Sequence, residues 1–227
     1  MRPRLLAVPV VVLSWCVVLT GCSDGDDEGG AATDTAPTEA ISCDYPSSPM
    51  GAAKEVDPPP ASTTLGGTVP ATIATSVGDL SIELDADAAP CTVSSFRSLA
   101  DQGYFDGTGC HRLVTPPASI AVLQCGDPTG TGAGGPGYSF ADELSGSETY
   151  EAGTLAMANA GPDTNGSQFF MVYADSQLPP SYTVFGHLDT SSVRTLEKVA
   201  ADGSDNANGA NDGHPHTPVD IESVTVG

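Results

Sequence analysis

The residues from Met157 to Phe170, MANAGPDTNGSQFF, combine polar side chains with the turn-forming types Gly, Pro and Asn. Apolar runs precede and follow them, at Thr154–Met157 and Phe169–Tyr173. Because Gly, Pro and Asn adopt turn dihedrals at little cost, this pattern predicts an ordered loop between two strands. Such a loop is either a structural Ω-loop or part of a functional site, since loops on a rigid scaffold often carry binding groups.

Arg112 is the second candidate for chemistry. It lies in Gly109–Val114, an apolar run with the character of a β-strand, in a chain with only seven basic residues. An Arg in a strand is commonly solvated or salt-bridged, but its guanidinium can also donate several hydrogen bonds to a substrate. The residues alone leave both interpretations open.

Three other combinations of residue types were considered as reactive sites. Cys110 and His111 could suggest a cysteine hydrolase, but adjacent residues of a strand point to opposite faces. Ser167 lacks the surrounding glycines of a nucleophile elbow. His214 and His216 could bind a metal, but two His in an acidic loop are commonly solvated, and no third ligand stands at a fixed spacing. We therefore predict no metal site and no cofactor.

Taken together, these segments resemble the signature motifs of the cyclophilin-type peptidyl-prolyl isomerases. Besides the loop Met157–Phe170, the similar motifs are Cys110-His111-Arg112-Leu113, Gln124-Cys125-Gly126-Asp127, Phe140-Ala141-Asp142-Glu143 and Val184-Phe185-Gly186. They follow the order of the family, and the resemblance extends from about Ala71 to the C-terminus. It implies a mainly β fold, a closed eight-stranded antiparallel barrel capped by two helices.

The resemblance also implies a reaction, the cis-trans isomerisation of Xaa-Pro peptide bonds. This rotation is slow because amide resonance imposes a barrier of roughly 18–20 kcal/mol. No covalent bond is made or broken, so the catalyst needs no nucleophile or metal and must stabilise the twisted amide more than either planar form. A guanidinium that donates to the prolyl nitrogen would do so, and Arg112 is the candidate.

The family pattern assigns further roles, position by position. Gln124 is expected to hydrogen-bond near Arg112, and the main chain of Asn159 is expected to hold the residue before the proline; both are predicted to act in catalysis. Phe170 matches the floor of the proline pocket. The predicted substrate-binding residues are Val122, Gly132, Ala158, Ala160, Gln168, Phe170, Leu178 and Tyr182.

Three positions depart from the family. Ala121 stands where the family has a pocket Phe, Gln177 replaces a loop Trp, and Tyr182 replaces a pocket His. We therefore expect a shallower pocket and reduced activity. The departures leave a second hypothesis open, a cyclophilin-like binding or chaperone module that grips proline-containing segments with little or no turnover. A structural envelope protein that uses the barrel only as a scaffold ranks below both.

The elements that must position these residues can be predicted from periodicity and turn signals. Ala71–Ser76 and Asp79–Leu84 read as a hairpin, Pro90–Gly103 and Ser192–Ala200 as helices. The glycine-rich segment Asp127–Tyr138 lacks the Gly-Lys-Ser/Thr of a phosphate loop. The family resemblance implies that it borders the peptide groove. Further strands are expected at Val122–Gly126, Val184–Leu188 and Val219–Val226, and loops at Thr115–Ile120, Tyr173–Thr183 and Ala201–His216.

The N-terminus has the pattern of an exported lipoprotein. Residues 1–21 combine Arg2 and Arg4 with a long apolar run, as in a signal peptide. Leu19-Thr20-Gly21-Cys22 resembles the bacterial lipobox, which implies lipidation of Cys22 and attachment to the outer face of the cell membrane. An ordinary secretory signal is the alternative. Residues 22–65 are predicted to form a flexible acidic and Pro-rich tether, and residues 66–227 the isomerase domain. Within the tether, Cys43 and Tyr45 suggest that part of the segment packs on the domain.

Charge limits the possible partners. Loss of Arg2 and Arg4 with the signal leaves five basic residues against 29 acidic ones, a formal charge of −24. This excludes a basic patch and argues against nucleic-acid binding. The expected partners are proline-containing segments of exported polypeptides and the membrane, through the lipid on Cys22. We expect the protein to be a monomer.

Four cysteines remain after processing, Cys43, Cys91, Cys110 and Cys125. An even number in an oxidising compartment suggests disulfides, but four cysteines allow three pairings, and free buried thiols are also possible. The family resemblance places Cys110 and Cys125 on neighbouring strands. It therefore implies a Cys110–Cys125 bond, with Cys43 joined to Cys91.

Overall fold

A computed structural model describes residues 39–227 of the chain. The predicted signal peptide, Cys22 and the first part of the predicted tether lie outside the described residues. Within residues 39–227, no helix is both long enough and apolar enough to cross a bilayer.

The described residues contain two α-helices and fourteen β-strands. The helices are α1 (Pro90–Asp101) and α2 (Thr190–Ala201). The strands are β1 (Ile41–Ser42), β2 (Ser47–Ala52), β3 (Ser62–Thr63), β4 (Thr68–Thr75), β5 (Leu80–Asp85), β6 (Thr108–Gly109), β7 (Arg112–Val114), β8 (Ala121–Cys125), β9 (Pro136–Tyr138), β10 (Thr154–Met157), β11 (Phe169–Ala174), β12 (Val184–Leu188), β13 (Asp212–Gly213) and β14 (Asp220–Val226).

Ten strands form the main sheet, in the order β13-β7-β8-β11-β10-β12-β5-β4-β14-β6. All neighbouring strands are antiparallel. Strands β6 and β7 lie near opposite edges of this order but are separated in the chain only by Cys110 and His111. The sheet must therefore curl until its two edges approach each other.

The prediction of a closed eight-stranded barrel is wrong in strand number and in closure. In the described part of the chain, the edge strands β13 and β6 do not pair with each other. At Cys110 and His111 the chain crosses between the edges: Cys110 N–H donates to Val219 O (2.8 Å) and His111 N–H to Gln124 O (3.1 Å). The predicted strand Gly109–Val114 is therefore split, and β13 arises in a segment whose polar composition predicted only loop.

The core lies on the inner face of the curled sheet. Leu113, Leu123 and Met171, which are paired across β7, β8 and β11, are at most 1% exposed. Phe96 of α1 packs against Phe169, with ring centroids 5.6 Å apart. Helix α1 begins with a proline in its first turn, whose missing N–H costs nothing there. Helix α2 begins after Asp189, whose carboxylate accepts from Ser192 N–H (2.7 Å).

The predicted flexible tether does not extend through residues 39–65. Strand β1 pairs with β3, and β2 pairs with β9, so this segment is folded onto the rest of a single compact unit, Thr38–Gly227. Two residues of this segment, Cys43 and Tyr45, hold it on the domain. Cys43 forms a disulfide with Cys91, and Tyr45 packs its ring edge-on against Tyr138, with centroids 5.5 Å apart.

Both disulfides join the pairs that the family resemblance implied. Cys43 and Cys91 connect the N-terminal segment to α1, with Cα atoms 5.5 Å apart. Cys110 and Cys125 connect the segment before β7 to the end of β8, with Cα atoms 4.1 Å apart. The second bond lies next to Arg112 and Gln124 in the chain and fixes the two strands that carry them.

Candidate active site

Strand register places the main predicted residues together on the outer face of the sheet. Arg112 of β7 is directly opposite Gln124 of β8, and Gln124 is directly opposite Phe170 of β11. Directly paired residues of antiparallel strands point their side chains to the same face. The next outward-facing row, two residues along each strand, consists of Val114, Val122 and Val172.

A chain of polar side chains runs along one side of this face. Arg112 Nη1 lies 3.4 Å from Gln124 Oε1, and Gln124 Nε2 donates to Gln168 Oε1 (2.9 Å). Gln168 Nε2 in turn donates to the carbonyls of Gly132 and Gly134, both at 2.9 Å. The orientation of each amide is thus fixed by its neighbour, and the line ends on the glycine-rich segment.

Asp212 holds the guanidinium of Arg112 in a two-point contact. Arg112 Nε donates to Asp212 Oδ1 (2.8 Å) and Nη2 to Oδ2 (2.7 Å), in the planar geometry that pairs a guanidinium with a carboxylate. The Arg112 side chain is 36% exposed. The Arg112 guanidinium holds the pKa of Asp212 below its ordinary value of 3.8, and the hydrogen bond from Arg112 to Asp212 raises the pKa of the guanidinium.

Sequence reasoning missed Asp212. It lies 100 residues after Arg112, in an acidic segment where several carboxylates are equivalent in composition. A half-buried Arg predicts that some carboxylate pairs with it, but the sequence holds no signal that selects this one.

Asp127 organises the glycine-rich segment from within. Its carboxylate, fully buried, accepts from Thr129, Thr131, Gly132 and Gly134, at 2.7 to 3.2 Å. Burial alone would raise the pKa of Asp127, but the hydrogen bonds from Thr129, Gly134 and Gly132 outweigh it and lower the pKa. The carbonyls that orient Gln168 are therefore held by a buried charge.

An apolar cluster lies beside this polar line, on the same outer face. Its buried members are Val114, Val122, Tyr150, Ala156, Phe170 and Val172, and the partly buried residues packed on them are Ala118, Ile120, Ala158, Leu178, Tyr182 and Val184. Phe170 is only 5% exposed within this cluster, and the ring of Tyr182 stands edge-on to it at a centroid distance of 5.5 Å. A ligand that contacts the Phe170 ring must therefore displace some of the side chains packed around it.

Tyr150, which sequence reasoning also missed, holds Tyr182 in place. Its hydroxyl donates to Tyr182 O and accepts from Tyr182 N–H, both at 3.0 Å. The two rings also meet edge-on, with centroids 6.1 Å apart. Burial raises the pKa of Tyr150, so its hydroxyl stays protonated and able to donate at neutral pH.

The loop that follows β10 brings Asn159 to the edge of the site. Ala158 N–H donates to Gln168 O (2.9 Å), and Asn159 Nδ2 donates to Ser181 O (2.9 Å). Within residues 39–227, the main-chain N–H and C=O of Asn159 make no hydrogen bond. They are therefore free to pair with water or with an extended peptide. Ala160 next to it is exposed.

The three departures from the family have different structural consequences. Ala121 packs in the inner core and not on the pocket face, so its small side chain removes nothing from the outer cluster. Gln177 is exposed, and its N–H donates to Ser119 O (2.8 Å), which joins the two loops beside the pocket. Tyr182, in contrast, belongs to the outer cluster and contacts the ring of Phe170.

The competing reactive sites find no support among the described residues. Cys110 is in a disulfide, and the Ser167 hydroxyl donates to Gly126 O (2.7 Å) inside the structure. His214 Nδ1 contacts Asp205 Oδ2 (3.0 Å) and His216 Nδ1 contacts Asp202 O (2.8 Å). No group of three or more potential metal ligands occurs in residues 39–227. His111 is buried, which lowers its pKa.

Comparison with known proteins gives one consistent result. The family model described as cyclophilin type peptidyl-prolyl cis-trans isomerase/CLD matches residues 71–226. The chain is 50% identical over 200 residues to a probable peptidyl-prolyl cis-trans isomerase B of Mycobacterium leprae, and 50% identical over 198 residues to one of Mycobacterium tuberculosis. These alignments cover 82% and 81% of the chain, and 67% and 63% of the respective relatives.

A solved structure shares the fold. The crystal structure of a cyclophilin-type peptidyl-prolyl cis-trans isomerase from Cryptosporidium parvum, determined in the presence of the dipeptide Ala-Pro, is similar with a TM-score of 0.59 and 33% sequence identity. The similarity covers 70% of this chain and 98% of that one. It therefore concerns a large part, but not the whole, of the present sequence.

Proposed function

Because the chain belongs to the cyclophilin-type peptidyl-prolyl cis-trans isomerases, which confirms the family inferred from its motifs, we propose that it accelerates rotation about Xaa-Pro bonds in exported polypeptides. In this role it assists their folding outside the cytoplasm. The observation that carries the proposal is the Arg112 guanidinium, fixed by Asp212 and Gln124 beside an apolar cluster.

The arrangement suits the transition state of amide rotation. As the amide twists, the prolyl nitrogen becomes pyramidal and its lone pair becomes localised, so a hydrogen-bond donor at that atom favours the twisted form. Asp212 and Gln124 accept three of the five guanidinium N–H groups, and two remain for a substrate. Because Asp212 holds the fork in place, the donors need not reorganise during the reaction.

The apolar cluster supplies the complementary part of the site. The pyrrolidine ring would pack against Val122, Phe170 and Leu178, with Tyr182 displaced from the floor or closed over the ring. The free main-chain groups of Asn159 would hold the residue before the proline as a short strand does. A barrier lowered by about 6–8 kcal/mol corresponds to roughly 10⁴–10⁶-fold acceleration.

The test is isomerisation of a short Xaa-Pro peptide, followed by NMR exchange. We expect Arg112→Ala to reduce kcat/KM about 10²–10³-fold, as the loss of a preorganised donor does in other enzymes. Arg97→Ala is the matched control, because Arg97 is a partly exposed Arg on α1 whose guanidinium also lies near an acid, Asp101 at 3.8 Å. Equal rates for the wild type and Arg112→Ala would refute catalysis by this site.

A binding module with little turnover is the second candidate. The observation in its favour is the buried floor, with Phe170 only 5% exposed and in edge-on contact with Tyr182. Saturable binding of the same peptide without acceleration, in the wild type and in Arg112→Ala alike, would select this function over isomerisation.

We also propose that the protein acts as a monomer attached to the outer face of the cell membrane by lipid on Cys22. The support is the Leu19-Thr20-Gly21-Cys22 pattern after an apolar run, and a strong acidic charge that would not by itself attract anionic headgroups. The test is the mass of the mature N-terminus and membrane fractionation of Cys22→Ala. Release of the wild type as unlipidated protein would refute the anchor.

A further inference from the structure

Strand β2 bulges away from its pairing partner β9, because more residues of β2 than of β9 lie between the two paired positions. Ser47 is opposite Tyr138 and Ala52 is opposite Pro136, so four residues of β2 face a single residue of β9, Gly137. The four residues, Ser48-Pro49-Met50-Gly51, are named here the N-terminal arch. Gly51 within it has a φ of +71°, which favours glycine.

The N-terminal arch is held at both ends. On one side, Ser139 N–H donates to Pro46 O (3.0 Å), and the Tyr45 hydroxyl donates to Cys91 O (2.8 Å). On the other side, Ala53 N–H donates to Gly135 O (2.8 Å). An arch between two fixed ends keeps its shape, so its side chains are presented to solvent in a defined place.

A cavity of about 500 Å³ separates the N-terminal arch from the predicted catalytic residues. Gln124, Gln168 and Asn159 line the cavity on the far side. Ala158 also lines this cavity and packs on the apolar cluster around Phe170, so the cavity continues the groove in which the substrate is proposed to lie.

Met50 is the chemically distinctive residue of the arch. It is 73% exposed, in a domain where few large apolar side chains are exposed. The arch itself carries no charge, although the chain as a whole is strongly acidic. A flexible, polarisable Met at the mouth of a groove suits contact with apolar side chains of varied shape.

We propose that the N-terminal arch forms a second wall of the substrate groove, and that Met50 is a specificity-determining residue. Its ligand is the side chain two or three residues before the proline, and the site favours an apolar side chain there over glycine or an acidic residue. The direction follows from Asn159, which is predicted to hold the residue directly before the proline and lies across the cavity from the arch. The inference therefore rests on the proposed function.

The test uses three peptides that share the same Ala-Pro bond and carry Leu, Gly or Asp at the second and third positions before the proline. For the wild type we expect kcat/KM to be highest for the Leu peptide, lower for the Gly peptide and lowest for the Asp peptide. Met50→Ser should reduce the preference for Leu over Gly by roughly three- to tenfold, since a partly exposed pocket contact discriminates weakly. Turnover of the Gly peptide should fall less than turnover of the Leu peptide, because glycine has no side chain for Met50 to contact.

The matched control is Leu144→Ser, which removes a large apolar side chain, 39% exposed, that does not line this cavity. The proposal would be overturned if the ratio of kcat/KM for the Leu peptide to kcat/KM for the Gly peptide were the same in Met50→Ser and in the wild type. The proposed function is tested separately, by comparing turnover of the Gly peptide between the wild type and Arg112→Ala. If the protein proves to be a binding module, the same ratio is read from peptide affinities.

A second variant displaces the arch without changing Met50. A Cβ added at Gly137 would come within 2.9 Å of the Ala52 Cβ and 3.1 Å of the Ala52 N, so Gly137→Ala must push β2 away from β9. Gly137 also has a φ of +86°, which adds strain for alanine. We expect this variant to lose the preference for Leu while it retains turnover of the Gly peptide. Retention of the full preference would contradict a wall built by the arch.

Discussion

The candidate site has two halves that are built in different ways. The strand-built half consists of Arg112, Gln124, Val122 and Phe170, and cross-strand register places them side by side. The loop-built half consists of Gly132, Asn159, the N-terminal arch of β2, and Asp212, which lies on the two-residue edge strand β13. Its parts are separated widely in sequence and meet through individual hydrogen bonds. A ladder of many main-chain bonds tolerates the loss of one, whereas a loop that depends on one or two side chains does not.

The difference predicts where the site is vulnerable. The loop-built half depends on hydrogen bonds from a few side chains. Asp127 and Asp212 contribute carboxylates, and Tyr150, at the boundary between the halves, contributes a hydroxyl. Removal of one of these groups should disturb the site more than its distance from the substrate suggests.

The largest effect is expected for Asp127→Asn. The substitution leaves an amide group among main-chain donors that need an acceptor, and should lower the free energy of unfolding by about 3 kcal/mol, measured by urea denaturation. Asp79→Asn, in the exposed turn between β4 and β5, is the control and should change it little. A loss below about 1 kcal/mol would show that the glycine-rich segment does not depend on the buried charge.

The same carboxylate gives a pH dependence. The native pKa of Asp127 is below its ordinary value of 3.8, so the stability that it contributes is complete above pH 3.8. This contribution should be lost as the pH falls further, through the native pKa. The difference in stability between wild type and Asp127→Asn should therefore be constant near neutral pH and shrink only in acid.

An intermediate effect is expected for Asp212→Asn. Arg112 stays charged but loses its two-point contact, so kcat should fall about tenfold, or about 1.4 kcal/mol, with a smaller change in KM. Asp212→Glu should recover part of the loss, because it restores the carboxylate. The wild-type kcat should stay level from neutral pH down to about the ordinary pKa of 3.8, since Arg112 keeps Asp212 ionised. An unchanged kcat in Asp212→Asn would show that β7 alone positions the guanidinium.

The smallest effect is expected for Tyr150→Phe, which removes two hydrogen bonds to Tyr182 and keeps the ring. We expect a loss of about 1 kcal/mol in unfolding free energy and about a threefold change in kcat/KM, because Tyr182 is freed beside the Phe170 ring. Tyr173→Phe is the comparison within the core, where the hydroxyl donates to Val114 O (2.6 Å). It should lose similar stability without a change in catalysis. Equal catalytic effects for both would mean that Tyr150 acts only through stability.

The strand-built half could be predicted from the sequence, because alternation along a strand determines which side chains share a face. The motifs around Arg112, Gln124 and Phe170 were therefore sufficient to bring them together. Ala121 shows that alternation is a better guide here than alignment to the family. The alignment places Ala121 in the pocket, but alternation along β8 sends it into the core, where the structure has it.

The loop-built half could not be predicted, because its contacts are long-range and chemically degenerate. Any of several acids could have paired with Arg112, and nothing in the composition of residues 201–216 indicated the short strand that carries Asp212. The N-terminal segment could be predicted in part. Cys43 and Tyr45 indicated packing on the domain and make those contacts, but nothing in the composition indicated that β1 pairs with β3 and β2 with β9.

The Cys43–Cys91 bond has a mechanical consequence. It closes a loop of sequence separation 48 that contains the whole of β2. If the chain is tethered through its N-terminus, a pull along the backbone enters helix α1 through the sulfur atoms and bypasses the intervening residues. The groove wall near Met50 would then carry no mechanical load, so a force applied at the N-terminal anchor would leave substrate binding at this wall unchanged.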